Sequence, residues 1–203
     1  MKVQTTKNQP KNQNPHEQIR KLTLSAMFIA LGIVLPFVTE HIHKVGNMLL
    51  PMHIPVFLCG LICGWQYGAA VGFVLPLMRS MMFAMPPMIP AAVAMAPELM
   101  TYGLVAGLLY GLSRHQCIIA LYRSMIIAML AGRVVWGAAR IVLLFSKGTQ
   151  FTWGIFLSDG FLTAIPGILI QLFLIPAIML ALHKTGLVKF KQRDHDRHTP
   201  KTT

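Results

Sequence analysis

Long apolar runs alternate with short polar segments along this chain, which is the pattern of helices that cross a membrane. An uncharged run at residues 22–39 follows a polar stretch and predicts the first span. Residues 45–78 form an uncharged run of 34 residues, which is about 51 Å long as one helix, against a hydrocarbon core of about 30 Å. We therefore predict that this run folds back on itself near residues 65–68, which hold two aromatic residues and a glycine.

The remaining apolar runs complete an all-α membrane protein, a compact bundle of six transmembrane helices. Prolines at positions 86, 87 and 90 mark one of the outer loops between them. The predicted spans are residues 22–39, 52–65, 69–83, 91–112, 124–145 and 155–183. The predicted domains are a basic polar arm at residues 1–21, the six-helix domain at residues 22–183 and a basic tail at residues 184–203.

Composition and charge support a membrane domain and predict its orientation. Charged residues make up 12% of the chain, against roughly 25% in soluble domains. Of the 18 lysines and arginines, five lie in residues 1–21 and six in residues 184–203. Because positive segments favour the cytoplasmic side, both termini are expected there. The net charge of +12 does not predict nucleic-acid binding, since the basic residues lie at the two ends rather than on one folded face.

Five ionisable residues inside the predicted spans indicate a functional site, because a charge at mid-membrane costs about 2.5 to 3.5 kcal/mol on insertion scales. They are Arg79, Glu98, Arg133, Arg140 and Asp159. Three arginines against two carboxylates leave one positive charge, which favours an outward-facing cavity for a small anion. For each residue taken alone, an internal ion pair that holds two helices together remains an open alternative.

Polar side chains near these charges extend the predicted site. Helical spacing places Trp136 beside Arg133 and Tyr102 beside Glu98. An asparagine in an outer loop and a histidine at the start of the second span are further candidates, although a structural hydrogen-bonding role for the histidine is an open alternative. The predicted substrate-binding set is Asn47, His53, Arg79, Glu98, Tyr102, Arg133, Trp136 and Arg140.

Small residues recur at four-residue spacing, which permits close approach between membrane helices. Ala26 and Ala30 form such a pair in the first span, and a cavity on one side with this pair toward the cytoplasm predicts docking onto another membrane subunit. Two glycine series, at positions 60 to 72 and 103 to 111, are attributed mostly to packing inside the bundle.

The sequence predicts no metal site, no cofactor and no ATP hydrolysis by this chain itself. Cys59 and Cys63 have helical spacing but are interpreted as small buried side chains. Neither a Gly-rich loop with Lys and Ser or Thr nor a His-Glu-x-x-His motif occurs. Two alternatives stay open: a proton-coupled carrier that uses Glu98 or Asp159, and an intramembrane enzyme that adds His53 as an acid–base group.

Three segments of this sequence resemble the substrate-binding S components of energy-coupling factor (ECF) vitamin transporters. They are LTLSAMFIA at 22–30, PMHIPV at 51–56 and ELMTYGL at 98–104, and the resemblance extends over about residues 20–185. It implies a six-helix protein of the bacterial cell membrane that captures a vitamin from outside. It also implies association with a transmembrane coupling subunit and two cytoplasmic ATP-binding subunits, with Ala26 and Ala30 facing the coupling subunit.

The resemblance also implies that the outer-half residues bind the vitamin, at positions Asn47, Arg79, Glu98, Tyr102, Arg133, Trp136 and Arg140. Within the family, the chain is most similar to the pantothenate-type S components. Pantothenate is a monocarboxylate with hydroxyl and amide groups, which agrees with a cavity of net positive charge. Niacin, folate and hydroxymethylpyrimidine are alternatives, although the last carries no carboxylate to explain the arginines.

Overall fold

The structure is a computed structural model that describes residues 15–40, 51–113, 117–146 and 165–184. Six α-helices occur in these ranges, which confirms the prediction of an all-helical protein. They are α1 (Pro15–Glu40), α2 (His53–Cys63), α3 (Trp65–Phe83), α4 (Val93–Leu112), α5 (Ile118–Ser146) and α6 (Ile165–Lys184). A wide helical turn, Met88–Ala92, leads into α4.

The predicted reversal in the long uncharged run is confirmed, but it occurs at a different residue. The helix α2 ends at Cys63 and α3 begins at Trp65, so Gly64 alone connects them, rather than residues 65–68. Gly64 has a φ of 104°, a conformation that costs little only for glycine. Beyond this turn, Gly68 lies directly against the backbone of Gly60. The two helices therefore form a tight hairpin.

Two helices begin earlier than the apolar runs predict. The first begins at Pro15 rather than at residue 22, and an ion pair of 2.8 Å between Glu17 and Lys21 stabilises its first turns. Proline favours the first position of a helix because its missing N–H would have no partner there. The fifth helix begins at Ile118 rather than at residue 124. The residues added to α1 are mostly polar, whereas those added to α5 are mostly apolar and precede Arg123.

Four helical segments are long and apolar enough to cross a membrane. Among the described residues they are Pro15–Phe37, Met88–Leu112, Ile118–Leu143 and Ile165–Lys184. The helix α2 has 11 residues, or about 16 Å, which is shorter than a bilayer core. Length and composition thus identify a membrane protein. Residues 15–21 of the predicted basic arm belong to α1, whereas residues 1–14 and 185–203 lie outside the described residues.

The short helix α2 forms the centre of the bundle, since all its residues except Ile62 are buried. It packs against α1, α3, α4 and α6, while α5 packs against α4 and α6. Glycines permit the closest crossings: Gly103 lies against the backbone of Gly68, and Gly72 against that of Leu99. The prediction of internal glycine packing is confirmed at positions 60, 68, 72, 103 and 107, but Gly64 forms the turn and Gly111 has no neighbour within 4 Å of a Cβ position.

From α1 to α5, successive helices run in opposite directions, which gives the bundle two distinct ends. At one end α1 and α3 terminate, and the rings of Phe37 and Phe83 meet edge to face at 4.7 Å. The helices α2 and α4 begin at this end, and we call it the outer end. At the opposite, inner end, the thiol of Cys59 donates to the hydroxyl of Ser25 over 3.6 Å. Cys59 and Cys63 are both buried, as interpreted from the sequence.

Candidate functional site

A buried carboxylate lies in the outer half of the bundle and joins two helices. Glu98 on α4 is 2% exposed. Its Oε1 accepts a hydrogen bond of 2.7 Å from the hydroxyl of Tyr102 and lies 3.2 Å from Nη1 of Arg133 on α5. The sequence pattern predicted the first contact from the four-residue spacing. The second contact is an internal ion pair, which was the open alternative for each of the two charges.

A histidine completes this group from a third helix. His53, at the start of α2, places its Nε2 3.9 Å from Oε1 of Glu98, which is too long for a hydrogen bond. Its ring is tilted against that of Tyr102, with centroids 5.3 Å apart. Neither ring nitrogen has a hydrogen-bond partner among the described residues. We call His53, Glu98, Tyr102 and Arg133 the Glu98 cluster.

Two residues that the sequence analysis did not single out hold Tyr102 in place. Phe57 stacks on the Tyr102 ring at a centroid distance of 5.2 Å. On the other side, a Cβ at Gly132 would collide with the ring, so this glycine leaves room for it. The available signals were short spacings: Phe57 is four residues after His53, and Gly132 directly precedes Arg133. Tyr102 is consequently packed between α2 and α5.

Another arginine of α5, Arg140, lies nearer the outer end than Arg133. The guanidinium carbon of Arg140 is 5.0 Å from the centroid of the Trp136 ring. Arg140 is half-buried and Trp136 is buried. The sequence analysis placed Trp136 beside Arg133, whereas the structure stacks it with the arginine four residues later. This contact is a cation–π pair, which places the Arg140 guanidinium beside an aromatic surface.

The remaining predicted residues lie in other places or outside the described ranges. Arg79 on α3 is 3% exposed and has its guanidinium carbon 5.9 Å from the Phe37 ring, where α3 packs on α1. Asn47 and Asp159 lie outside the described residues. The predicted excess of one positive charge depends on Asp159 and stays a prediction.

The predicted docking pair lies on the surface of the bundle. Ala26 and Ala30 are both exposed on α1. Large apolar side chains flank them on the same helix, with Leu22 64% exposed and Met27 55% exposed. The opposite face of α1 holds the buried Ser25 and Phe28. The alanine pair is therefore accessible to lipid or to another membrane protein.

One further buried polar residue was missed. Gln171 on α6 is 2% exposed, and its Nε2 has no hydrogen-bond partner among the described residues. The signal was present in the sequence, because Gln171 interrupts an apolar run that extends from Ile165 to Leu182. No group of three or more potential metal-ligating side chains occurs in the part of the chain that the structure describes.

Comparison with known protein families gives a match over most of the chain. The family model described as ECF transporter, substrate-specific component, matches residues 20–182. This region includes the Glu98 cluster, the stacked pair on α5 and the alanine pair on α1. No curated protein matches the chain.

Proposed function

The chain belongs to the family of ECF transporter substrate-specific components, and we propose that it captures a small anionic vitamin, with pantothenate as the best candidate, in a cavity at the outer end of the bundle. The family is one of membrane transporter components and not of enzymes. We further propose that the protein resides in the bacterial cell membrane with both termini in the cytoplasm. In this topology all six helices count as spans, with the short α2 enclosed by its neighbours.

The observation that carries the proposal is the Glu98 cluster. Buried charges in a membrane protein are costly, and by default they mark a substrate or ion pathway. Here a carboxylate, an arginine, a tyrosine and a histidine come from three helices and meet in the outer half. A purely structural ion pair between α4 and α5 would not require an unbonded histidine from α2 beside it.

The arginines provide the means to bind an anion. In the proposed site the Arg140 guanidinium, oriented by its stacking on Trp136, donates two parallel hydrogen bonds to the vitamin carboxylate. Arg133 is held by Glu98 and supplies positive potential to the same region. Tyr102 and Trp136 form apolar walls with polar tips. Asn47 and Arg79 stay in the proposed substrate-binding set, as the sequence pattern predicts.

Delivery of the vitamin requires partners, since this chain has no ATP-binding loop of its own. We propose that Ala26 and Ala30 dock onto a transmembrane coupling subunit, which works with two cytoplasmic ATP-binding subunits. The support is the exposure of both alanines on α1 at the membrane-facing surface. Small side chains there let a partner helix approach closely.

Titration calorimetry of the purified protein in detergent tests the substrate assignment. The panel is pantothenate, niacin, folate and hydroxymethylpyrimidine. We expect submicromolar binding of pantothenate by this chain alone, and at least roughly tenfold weaker binding by Arg140→Ala, because a charge-assisted hydrogen-bond pair is lost. Arg123→Ala is the matched control, since Arg123 is an exposed arginine of α5 near the inner end.

Each outcome of this titration has a defined meaning. Tight binding of another panel member keeps the capture function and replaces pantothenate. Equal affinity of Arg140→Ala and the wild-type protein removes the carboxylate contact. Absence of binding to every panel member contradicts the proposal.

A stand-alone proton-coupled carrier is the second candidate, and the 3.9 Å approach of His53 to the buried Glu98 favours it, since paired acidic and histidine groups can relay protons. The two candidates differ in their need for partners. A carrier transports the vitamin into proteoliposomes without other subunits and responds to an imposed proton gradient. A substrate-capture subunit binds alone but transports efficiently only with its coupling subunit and ATPases.

A further inference from the structure

A single glutamine lies in the otherwise apolar body of α6. Between Ile165 and Leu182, Gln171 is the one side chain with a hydrogen-bonding amide, hydroxyl or charge. Gln171 is 2% exposed, so its amide does not reach the surface of the bundle. Burial of an amide without a hydrogen-bond partner is unfavourable, because the amide loses its hydrogen bonds to water. Its presence therefore needs a reason.

The position of Gln171 directs it toward the centre of the bundle. Ile175 and Met179 follow it at four-residue spacing, and both are fully buried in the hydrophobic core. Among the described residues, α6 packs mainly against α2 and α5. Gln171 is consequently on the buried face of α6, and the helices that α6 packs against carry His53 and Arg133.

Gln171 also belongs to the outer half of the bundle. The last turn of α6 holds His183 and Lys184, and basic residues at a helix end favour the cytoplasmic side. Ile165 is at the opposite end of this helix from Lys184. Gln171 is six residues after Ile165, or about 9 Å along the helix axis. This places it in the half that contains the Glu98 cluster.

Polar atoms without described partners recur on these three neighbouring helices. They are Nε2 of Gln171, Nε of Arg133 and both ring nitrogens of His53. An interhelical hydrogen bond from Gln171 would be the usual role of such a residue in a membrane. Its Nε2 makes no such bond to any described residue. Polar groups without described partners on three neighbouring helices are suited to a guest molecule that carries both donor and acceptor groups.

From this arrangement we propose that Gln171 is a specificity-determining residue of the vitamin site, where its side-chain amide binds a neutral amide or hydroxyl group of the substrate. An amide both donates and accepts, so it is matched to groups that do the same. The carboxylate is left to the arginines, whose planar fork fits it better. This inference rests on the proposed capture function. It assigns the neutral groups of the ligand to Gln171, whereas the carboxylate is assigned to the arginines.

Calorimetric titration of Gln171→Met with pantothenate tests the assignment. Methionine keeps the volume and removes an unpartnered amide, so the variant is expected to fold with a ligand-free melting temperature at or above that of the wild-type protein. We expect its affinity to fall by roughly tenfold to a hundredfold, because a buried hydrogen bond to the ligand is lost. The matched control is Tyr110→Phe, which removes another buried polar group without a described partner, near the inner end of α4. Its affinity should equal that of the wild-type protein.

A neutral analogue separates Gln171 from the arginines. Pantothenol carries an alcohol in place of the carboxylate of pantothenate. Gln171→Met should weaken pantothenol and pantothenate by the same factor, whereas Arg140→Ala should weaken pantothenate far more than pantothenol. If the wild-type protein binds niacin instead, nicotinamide serves as the neutral analogue.

Two results overturn the inference while the proposed function stands. One is wild-type affinity in Gln171→Met. The other is a loss of affinity that accompanies a lowered ligand-free melting temperature, which marks Gln171 as a packing residue. If the wild-type protein binds no panel vitamin, the proposed function fails and the role of Gln171 fails with it.

Discussion

Glu98 and Arg133 illustrate how a buried charge depends on its partner. The carboxylate oxygen and the guanidinium nitrogen are 3.2 Å apart, and both residues are buried. Removal of one member leaves the other charge in a low-dielectric interior, which costs about 3 to 5 kcal/mol. Replacement of both members by apolar residues of similar size removes that penalty. Mutation of one or both members therefore tests whether the ion pair between Glu98 and Arg133 stabilises this site.

We expect Glu98→Leu and Arg133→Met each to lower the melting temperature of the detergent-solubilised protein, and the double variant to recover most of that loss. The measurement is thermal unfolding of all four proteins without ligand. Ligand affinity should not recover in the double variant, because the positive potential for the anion is gone. If the single and double variants were equally destabilised, the loss of stability would not come from the unpaired charge that each single variant leaves buried.

Sequence spacing predicted contacts within a helix better than contacts between helices. Glu98 and Tyr102 were paired correctly because four-residue spacing brings side chains together on one helix. Trp136 was placed beside Arg133 but stacks on Arg140, since spacings of three and four both permit contact and side-chain conformation selects one of them. The approach of His53 to Glu98 joins α2 to α4, and no spacing along one helix reports such a contact.

At the level of helices, glycine spacing indicated close packing without telling which glycines pack. Gly60, Gly68 and Gly103 come together where α2, α3 and α4 cross. Gly64, in the same series, instead forms the turn with its φ of 104°. Gly111 continues the series of α4 but faces open space. The regular spacing of four therefore covers three different structural roles, and only the arrangement of helices separates them.

We expect Gly103→Ala to destabilise the protein by about 1 to 3 kcal/mol, the usual range for overpacking. The added methyl group would collide with the backbone carbonyl of Gly68, which cannot move aside as a flexible side chain can. Gly111→Ala is the matched control on the same helix, because nothing lies within 4 Å of its Cβ position. The melting temperatures of the two variants in detergent provide the comparison. A similar melting temperature for both would contradict the tight crossing of α3 and α4.

For the whole molecule, polar residues inside the bundle and small residues on its surface lie in two separate regions, to which we assign the two proposed roles of capture and docking. The Glu98 cluster and the Arg140–Trp136 pair lie toward the outer end, inside the bundle. The alanine pair lies on the outside of α1, next to the inner part that holds the Ser25–Cys59 contact. The sequence predicted this division from topology alone, because polar residues in spans and small residues at four-residue spacing need no tertiary information to be recognised. It did not predict how fully α2 is enclosed, since an 11-residue apolar helix reads the same whether it contacts lipid or protein.

This division predicts that binding and assembly can be separated by mutation. Ala26→Trp and Ala30→Trp should leave vitamin affinity unchanged, because both side chains are exposed and lie on the far side of α1 from the core. The same changes should abolish association with the coupling subunit, since a bulky ring prevents the close helix approach that small residues allow. The measurements are calorimetric affinity for the isolated chain and co-purification of the coupling subunit and ATPases after joint expression.

The control for this experiment must place the same bulk on the membrane-facing surface of another helix. Val134→Trp on α5 meets that need, because Val134 is 72% exposed and projects away from the core. We expect this variant to assemble normally and to bind the vitamin. Complexes formed equally well by the alanine variants and the control would place the docking face elsewhere. Failure of all three to assemble would show a general intolerance of surface bulk, and the assignment to α1 would lose its support. Loss of vitamin affinity in the alanine variants alone would contradict the separation of the two regions, because it would couple the surface of α1 to the site at the outer end.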